Sequence, residues 1–181
     1  KNKINFCKIE DLSQKENKWI EKYYEENIIP LIAPTTLDPA HPFPFIQNQG
    51  KGLFIEMSHG TNKEINSVIL LPKNLNRFVR FPGEEHKYIL LEDLITRFID
   101  KIYPNHKLKN FGMFRVLRDS EIEIDDEADD LIDEFESALK ARRRGDVVSL
   151  EISSNLSNNT QKLLQRELSI NKSRIYTTDQ F

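Results

Sequence analysis

One cysteine, Cys7, stands among 181 residues, so no disulfide can form within the chain. The six glycines include no GxGxxG or GxxxxGK[ST] run, which removes the two common glycine-rich cradles for nucleotide phosphates. The four histidines, His41, His59, His86 and His106, lack metal-ligand spacing, and CxxC, HExxH and HxK elements are missing. A zinc site is therefore not expected. No apolar run reaches the ~20 residues that span a bilayer, and no basic segment followed by an apolar stretch opens the chain. With cysteine this scarce, a reducing cytoplasm is the expected setting. The chain starts at Lys1 rather than Met, and the expectation is a piece of something longer. The net charge is only -3 and the pI about 5.9. Dedicated nucleic-acid-binding domains usually exceed a pI of about 9, so no nucleic-acid partner is expected.

What is present fits a globular protein: 38% hydrophobic and 9% aromatic residues are too many for intrinsic disorder. The charge is unevenly placed. Residues 119–136 (DSEIEIDDEADDLIDEFE) hold eleven acids and no base, leaving 18 acids against 26 bases elsewhere, a formal +8. A basic surface for an anionic partner is thus compatible with an acidic total.

Ser13-Gln14-Lys15-Glu16 has the capping-box pattern and predicts a helix over 13–27, with Trp19/Tyr23 and Ile20/Tyr24 forming a core stripe and Pro30 stopping it. Residues 33–49 carry Pro34, Pro39, Pro42 and Pro44 and must run extended or turning. Phe43, Phe45 and Ile46 make that segment an ordered, packed one. Strands are expected at 53–57, 65–71, 77–81 and 88–90. Leu91, Leu94, Ile95, Phe98, Ile99 and Ile102 then give the clearest helical periodicity in the chain. A strand at 108–118 follows, with Ile122 and Ile124 as a half-exposed strand end. Next come a helix over 126–144 with acids first and bases last, a strand in which Val148, Leu150 and Ile152 share a face, a helix over 160–168 behind Ser157, and a closing strand at 173–177. Strand pairs mixed with helices predict a single α+β domain, its sheet mixed or mainly antiparallel, with about four helices packed on it.

Chemistry is harder to find. Asp125, Asp126, Asp129, Asp130 and Asp133 could offer oxygens to Mg²⁺, but a helix N-terminus attracts carboxylates without any metal. Arg77, Arg80, Arg115 and Arg118 are best read as ion-pair partners. Gln49-Gly50-Lys51-Gly52 reads as a turn, and Cys7 as a small buried hydrophobe. Residues Arg142, Arg143 and Arg144, three adjacent cations at a helix end, are the candidate contacts for a polyanion. No catalytic, nucleotide-binding or metal-binding residue is assigned.

Several stretches together resemble one family. They are residues 29–45 (IPLIAPTTLDPAHPFPF), 77–83 (RFVRFPG), 88–94 (YILLEDL), 114–116, and 118–152 ending in RRRGDVVSLEI. In this order they resemble the head, or middle, domain of bacterial polyphosphate kinase of the long, family 1 type. The resemblance implies a full-length enzyme that reversibly moves the terminal phosphate of ATP onto inorganic polyphosphate, through a phosphohistidine and with Mg²⁺. It implies an N-terminal helical domain and two C-terminal phospholipase-D-like catalytic domains outside this chain. None of the four histidines lies in a stretch matching the family's catalytic motif. The implied role is that of a non-catalytic domain active in dimerisation and flanking the polyphosphate and nucleotide tunnel. Its implied partners are the other domains of its own chain, a second copy and polyphosphate, in the cytoplasm or peripherally at a membrane. A self-associating or polyanion-binding module without enzymatic role is the alternative.

Overall fold

The computed structural model describes residues 4–38, 42–60, 63–83, 86–119, 145–179 and 181. Strands and helices alternate in an α+β arrangement, and the chain divides into two compact units, Lys1–Pro39 with Leu53–Phe111, and Ala40–Gly52 with Gly112–Phe181.

In the first unit, helix α1 (Gln14–Tyr23) starts where the capping box places it. The Ser13 hydroxyl accepts from the Glu16 backbone N–H at 3.4 Å, and the Ser13 N–H donates to Glu16 Oε2 at 2.9 Å. Its inner face buries Ile20, and Trp19 stacks on Tyr23 at 5.1 Å. The helical path does not end at Asn27 as expected. It widens to a π turn at Tyr24–Ile28 and tightens to a 3₁₀ turn at Ile29–Leu31. Pro30 sits in the first positions of that last turn, where its missing N–H has no intrahelical partner to lose.

Glu16 also takes a charged hydrogen bond from the Lys87 ammonium. This contact, followed by the hydrogen bonds from Ser13, holds the Glu16 carboxyl at about 2, far below its ordinary 4.5. A carboxyl whose folded value is depressed stabilises the fold above its unfolded value, and that contribution disappears as pH falls from about 4.5 towards 2. In thermal melts across this window, Glu16→Gln should lose less of its stability than the parent chain. Parallel slopes would show that the contact contributes nothing.

Strands β1 (Asn5–Phe6), β5 (Phe78–Arg80) and β6 (Lys87–Leu90) form a small sheet in the order β1-β6-β5. β1 runs parallel to β6, with Phe6 opposite Tyr88, and β5 runs antiparallel to it, with Val79 opposite Ile89. The expected return at 88–90 is thus present. The two-residue β1 carries no periodic signal and is recognisable only by its pairing. Cys7, next to β1, is buried and its Sγ donates to the Tyr88 carbonyl at 3.2 Å; burial pushes its thiol up. It is an inert core residue, as expected.

The larger sheet of this unit runs β2 (Pro34–Leu37), β4 (Lys63–Leu70), β3 (Lys51–His59) and β7 (His106–Arg118), in that order. β2 is the proline-rich segment's extended part, paired antiparallel to β4 from Pro34/Ile69 to Leu37/Asn66. Pro34 occupies the end of an edge strand, where a missing donor costs little. β3 buries Leu53, Phe54, Ile55 and Met57. The helix expected at 91–102 is two helices, α2 (Leu91–Arg97) and α3 (Ile99–Ile102), broken at Phe98 with φ -108° and ψ 27°. Periodicity survives the break: Leu91, Leu94, Ile95, Phe98 and Ile99 are all buried. Each such side chain contributes roughly 1.5–3 kcal/mol by leaving water.

In the second unit, the C-terminal half of β7 pairs antiparallel with β8 (Val147–Ser153), which pairs parallel with β9 (Ile175–Thr178). Helix α4 (Asn158–Glu167) begins behind Ser157, whose hydroxyl accepts from the Thr160 N–H at 3.2 Å, and a 3₁₀ turn at Lys172–Arg174 leads into β9. Ile46, Phe114, Val116, Leu150, Ile152, Leu156 and Leu164 make the core.

The register of β7 and β8 shifts between Leu117 and Arg118. Leu117 faces Ser149, but Arg118 faces Val147, so Val148 has no opposite number. The expected face of Val148, Leu150 and Ile152 is corrected by this bulge. Leu150 and Ile152 are buried, while Val147 takes the third inward position and Val148 is half-exposed. An extra residue in one strand flips the alternation beyond it.

Candidate functional site

Arg118 is the last residue of β7, at that register shift. Alternation along β7 puts it on the face of the buried Phe114 and Val116. It is half-buried and ties three segments of the second unit together. Its backbone N–H donates to Asn48 Oδ1 at 2.9 Å, Nε–H to the Ile46 carbonyl at 2.7 Å, and an Nη1–H to the Gly145 carbonyl at 2.8 Å. Its guanidinium carbon lies 4.6 Å over the Phe45 ring, a cation–π contact. Burial pushes the Arg118 guanidinium below its ordinary value and the charge of Asp146 opposes the shift.

Gly50 completes the arrangement. The Gln47 carbonyl accepts from its N–H at 2.9 Å, and its own carbonyl accepts from the Val116 N–H at 3.0 Å. The expected turn at 49–52 is therefore a turn at 47–50 running into β3. The described part of the aromatic and proline-rich segment after residue 41 packs as expected: Ile46 is buried and Phe43 half-buried, while Phe45 keeps half its surface exposed beneath Arg118.

Arg118 also lines a cavity of about 430 Å³ in this unit, together with Arg174, Asp146, Glu167, Ser169 and Asn171. The size suits a small ligand, for which about 300–1,000 Å³ is usual. Its electrostatics do not suit a polyanion. Two guanidinium groups are matched by two carboxylates, and the floor is the C-terminal end of α4, where the helix dipole is negative. Arg118 is further committed to backbone carbonyls. Its role is to hold the Phe45–Asn48 segment, a role hidden in sequence among four similar arginines.

Of those four, Arg77 and Arg115 do form ion pairs, with Glu92 and with Glu151. The polyanion candidates Arg142, Arg143 and Arg144 lie outside the described residues, as do the acidic run beyond Asp119 and the helix expected over 126–144. Among the described residues, no three of His, Cys, Asp and Glu converge where a metal ion could sit. No described helix is long and apolar enough to cross a membrane.

Comparison with known proteins gives the frame for these features. A polyphosphate kinase from Erythrobacter litoralis is 44% identical over 161 residues, which are 89% of this chain and 22% of that protein. One from Halalkalibacterium halodurans is 34% identical over 180 residues, 96% of this chain and 26% of that protein. The chain thus spans about a quarter of the length of these relatives. The crystal structure of polyphosphate kinase from Porphyromonas gingivalis superposes with a TM-score of 0.76 over 98% of this chain and 26% of that one, at 16% identity, a likeness of fold. The family described as the polyphosphate kinase middle domain matches residues 15–181, and the chain belongs to that family.

Proposed function

We propose that this chain is the non-catalytic middle, or head, domain of a longer polyphosphate kinase. That enzyme transfers the terminal phosphate of ATP reversibly to inorganic polyphosphate, with Mg²⁺ and through a phosphohistidine formed on another domain. The observation that carries the reading is the family match over residues 15–181, set against relatives about four times longer. In this reading the domain flanks the path of polyphosphate and nucleotide in a cytoplasmic enzyme, and Arg142, Arg143 and Arg144 are its contacts with the polymer. Phosphoryl transfer needs a nucleophile and prearranged cations around the transferred group. The Arg118 cluster supplies neither, being spent on holding its own loop.

The expected result is that this chain, given radiolabelled ATP, Mg²⁺ and a polyphosphate primer, makes no labelled polymer, whereas the longer polypeptide containing it does. Robust synthesis by the chain alone would overturn the proposal.

A second reading, self-association, has one observation in its favour. Ile4, Phe6 and Phe78 are half or more exposed, and the two phenyl rings lie 5.4 Å apart. Clustered apolar surface of this kind marks contact sites. A sedimentation coefficient that does not change with concentration would remove this reading and leave the first intact.

A further inference from the structure

His59 closes β3 and His106 opens β7, and these are neighbouring strands of the first unit. Their rings lie 4.6 Å apart between centroids at an interplanar angle of 37°. Tyr103 also meets the His106 ring, edge-on at 5.8 Å. Asn105, in the left-handed region with φ 65°, turns the chain immediately before the strand.

The His106 Nδ1 atom lies 2.9 Å from the Pro104 carbonyl oxygen. A carbonyl can only accept, so Nδ1 carries the hydrogen and the neutral ring keeps its lone pair on Nε2. A backbone partner of this sort is what metal-binding histidines almost always have, because it fixes the tautomer and raises the basicity of the other nitrogen. His59 is exposed, and among the described residues its ring has no hydrogen-bond partner. It can turn without cost to another contact.

We propose that His59 and His106 form a two-histidine site for a borderline transition-metal dication of the Zn²⁺ and Cu²⁺ class, with water in the remaining positions. Imidazole nitrogen is a good donor to Zn²⁺, Ni²⁺ and Cu²⁺. Zn–N bonds are about 2.0–2.1 Å, so two nitrogens on one ion are at most about 4 Å apart. The two ring centroids already lie 4.6 Å apart, close to that limit, and His59 is the exposed partner of the two. Among the described residues no third His, Cys, Asp or Glu joins the pair. The site is therefore open, unlike a four-ligand structural zinc centre, and its water positions can accept an oxygen of another molecule. Only neutral imidazole binds, so protons compete with the metal.

Two measurements on this chain test the proposal. Zn²⁺ is titrated calorimetrically into the parent chain and into His59→Ala and His106→Ala. Losing an outer partner of a ligand already costs ~10–100-fold in affinity, so losing a ligand should weaken binding by about 10-fold or more. Substoichiometric Cu²⁺ is added to the parent chain while the histidine ring protons are followed by NMR. The His59 and His106 signals should broaden before those of His41 and His86. This second arm needs no variant and decides the matter should either substitution disturb folding. Broadening that begins at His41 or His86, or spreads evenly over all four, overturns the site, as does unchanged Zn²⁺ affinity in two folded variants.

Discussion

Arg77→Ala should lower the stability of the first unit by about 3 kcal/mol, within the range for removing one partner of a buried ion pair. The two side chains are unequally buried: 8% of Glu92 remains accessible and 22% of Arg77. The Arg77 Nε–H donates to Glu92 Oε1 at 2.9 Å, and Nη2 donates to the same oxygen. The other carboxylate oxygen, Oε2, is buried and has no hydrogen-bond partner among the described residues. Glu92 thus depends on one guanidinium, and without it a carboxylate is left in an apolar setting. The neighbouring Asp93 carboxyl feels the same pressure. Burial pushes it up first and the charge of Glu92 second, and only Arg77 pulls it down. The reverse substitution, Glu92→Gln, should cost less, since Arg77 can turn to water, and in the Arg77→Ala background it should recover much of the loss. Urea unfolding of the three variants checks this. A loss under about 0.5 kcal/mol for Arg77→Ala, the scale of an ordinary surface substitution, would make the pair dispensable.

Gly145→Ala should be as damaging in the second unit. An ideal Cβ there would lie 2.0 Å from the Asp119 carbonyl oxygen and 3.0 Å from its carbon. Neither atom belongs to a side chain that could rotate away. The approach is fixed on both sides, because the Asp119 N–H donates to the Asp146 carbonyl at 2.8 Å and Arg118 holds the Gly145 carbonyl. Overpacking of this kind costs typically ~1–3 kcal/mol, and a backbone-to-backbone collision belongs at the upper end. Gly112→Ala is the useful contrast. Its Cβ would meet Leu156 Cγ at 2.6 Å and Cδ2 at 2.7 Å, atoms of a side chain that can shift, so its loss should be about half as large. Thermal melts that rank Gly112→Ala as the more destabilised variant would contradict the distinction.

Local physics made much of this architecture legible in the sequence. The Ser13 box and the Ser157 cap are satisfied within three residues of themselves, and both helices start where those residues stand. The 91–102 stripe named five buried residues, Leu91 to Ile99, even though the backbone breaks at Phe98, because the inward face persists across the kink; its sixth, Ile102, is only half-buried. What escaped depends on partners far along the chain. The bulge at Val148 exists only as a mismatch with β7, so the alternation of 147–152 read alone gives the wrong inward residue. Arg118 is one of four similar arginines in sequence. Its distinction comes from carbonyls 72 and 27 residues away. The family was legible for the opposite reason, since its motifs run in order along nearly the whole chain and need no contact to be recognised. A reactive centre was not legible because none of its usual spacings occurs.

The placement of Trp19 has a practical consequence. It is the chain's single tryptophan, stacked on Tyr23 and 5.4 Å from Phe81. Its emission therefore reports on the packing of α1 within the first unit. Far-ultraviolet circular dichroism sums over both. Coincident denaturation curves from the two probes would mean that the units melt as one cooperative body, and separated curves would resolve their individual stabilities without any label.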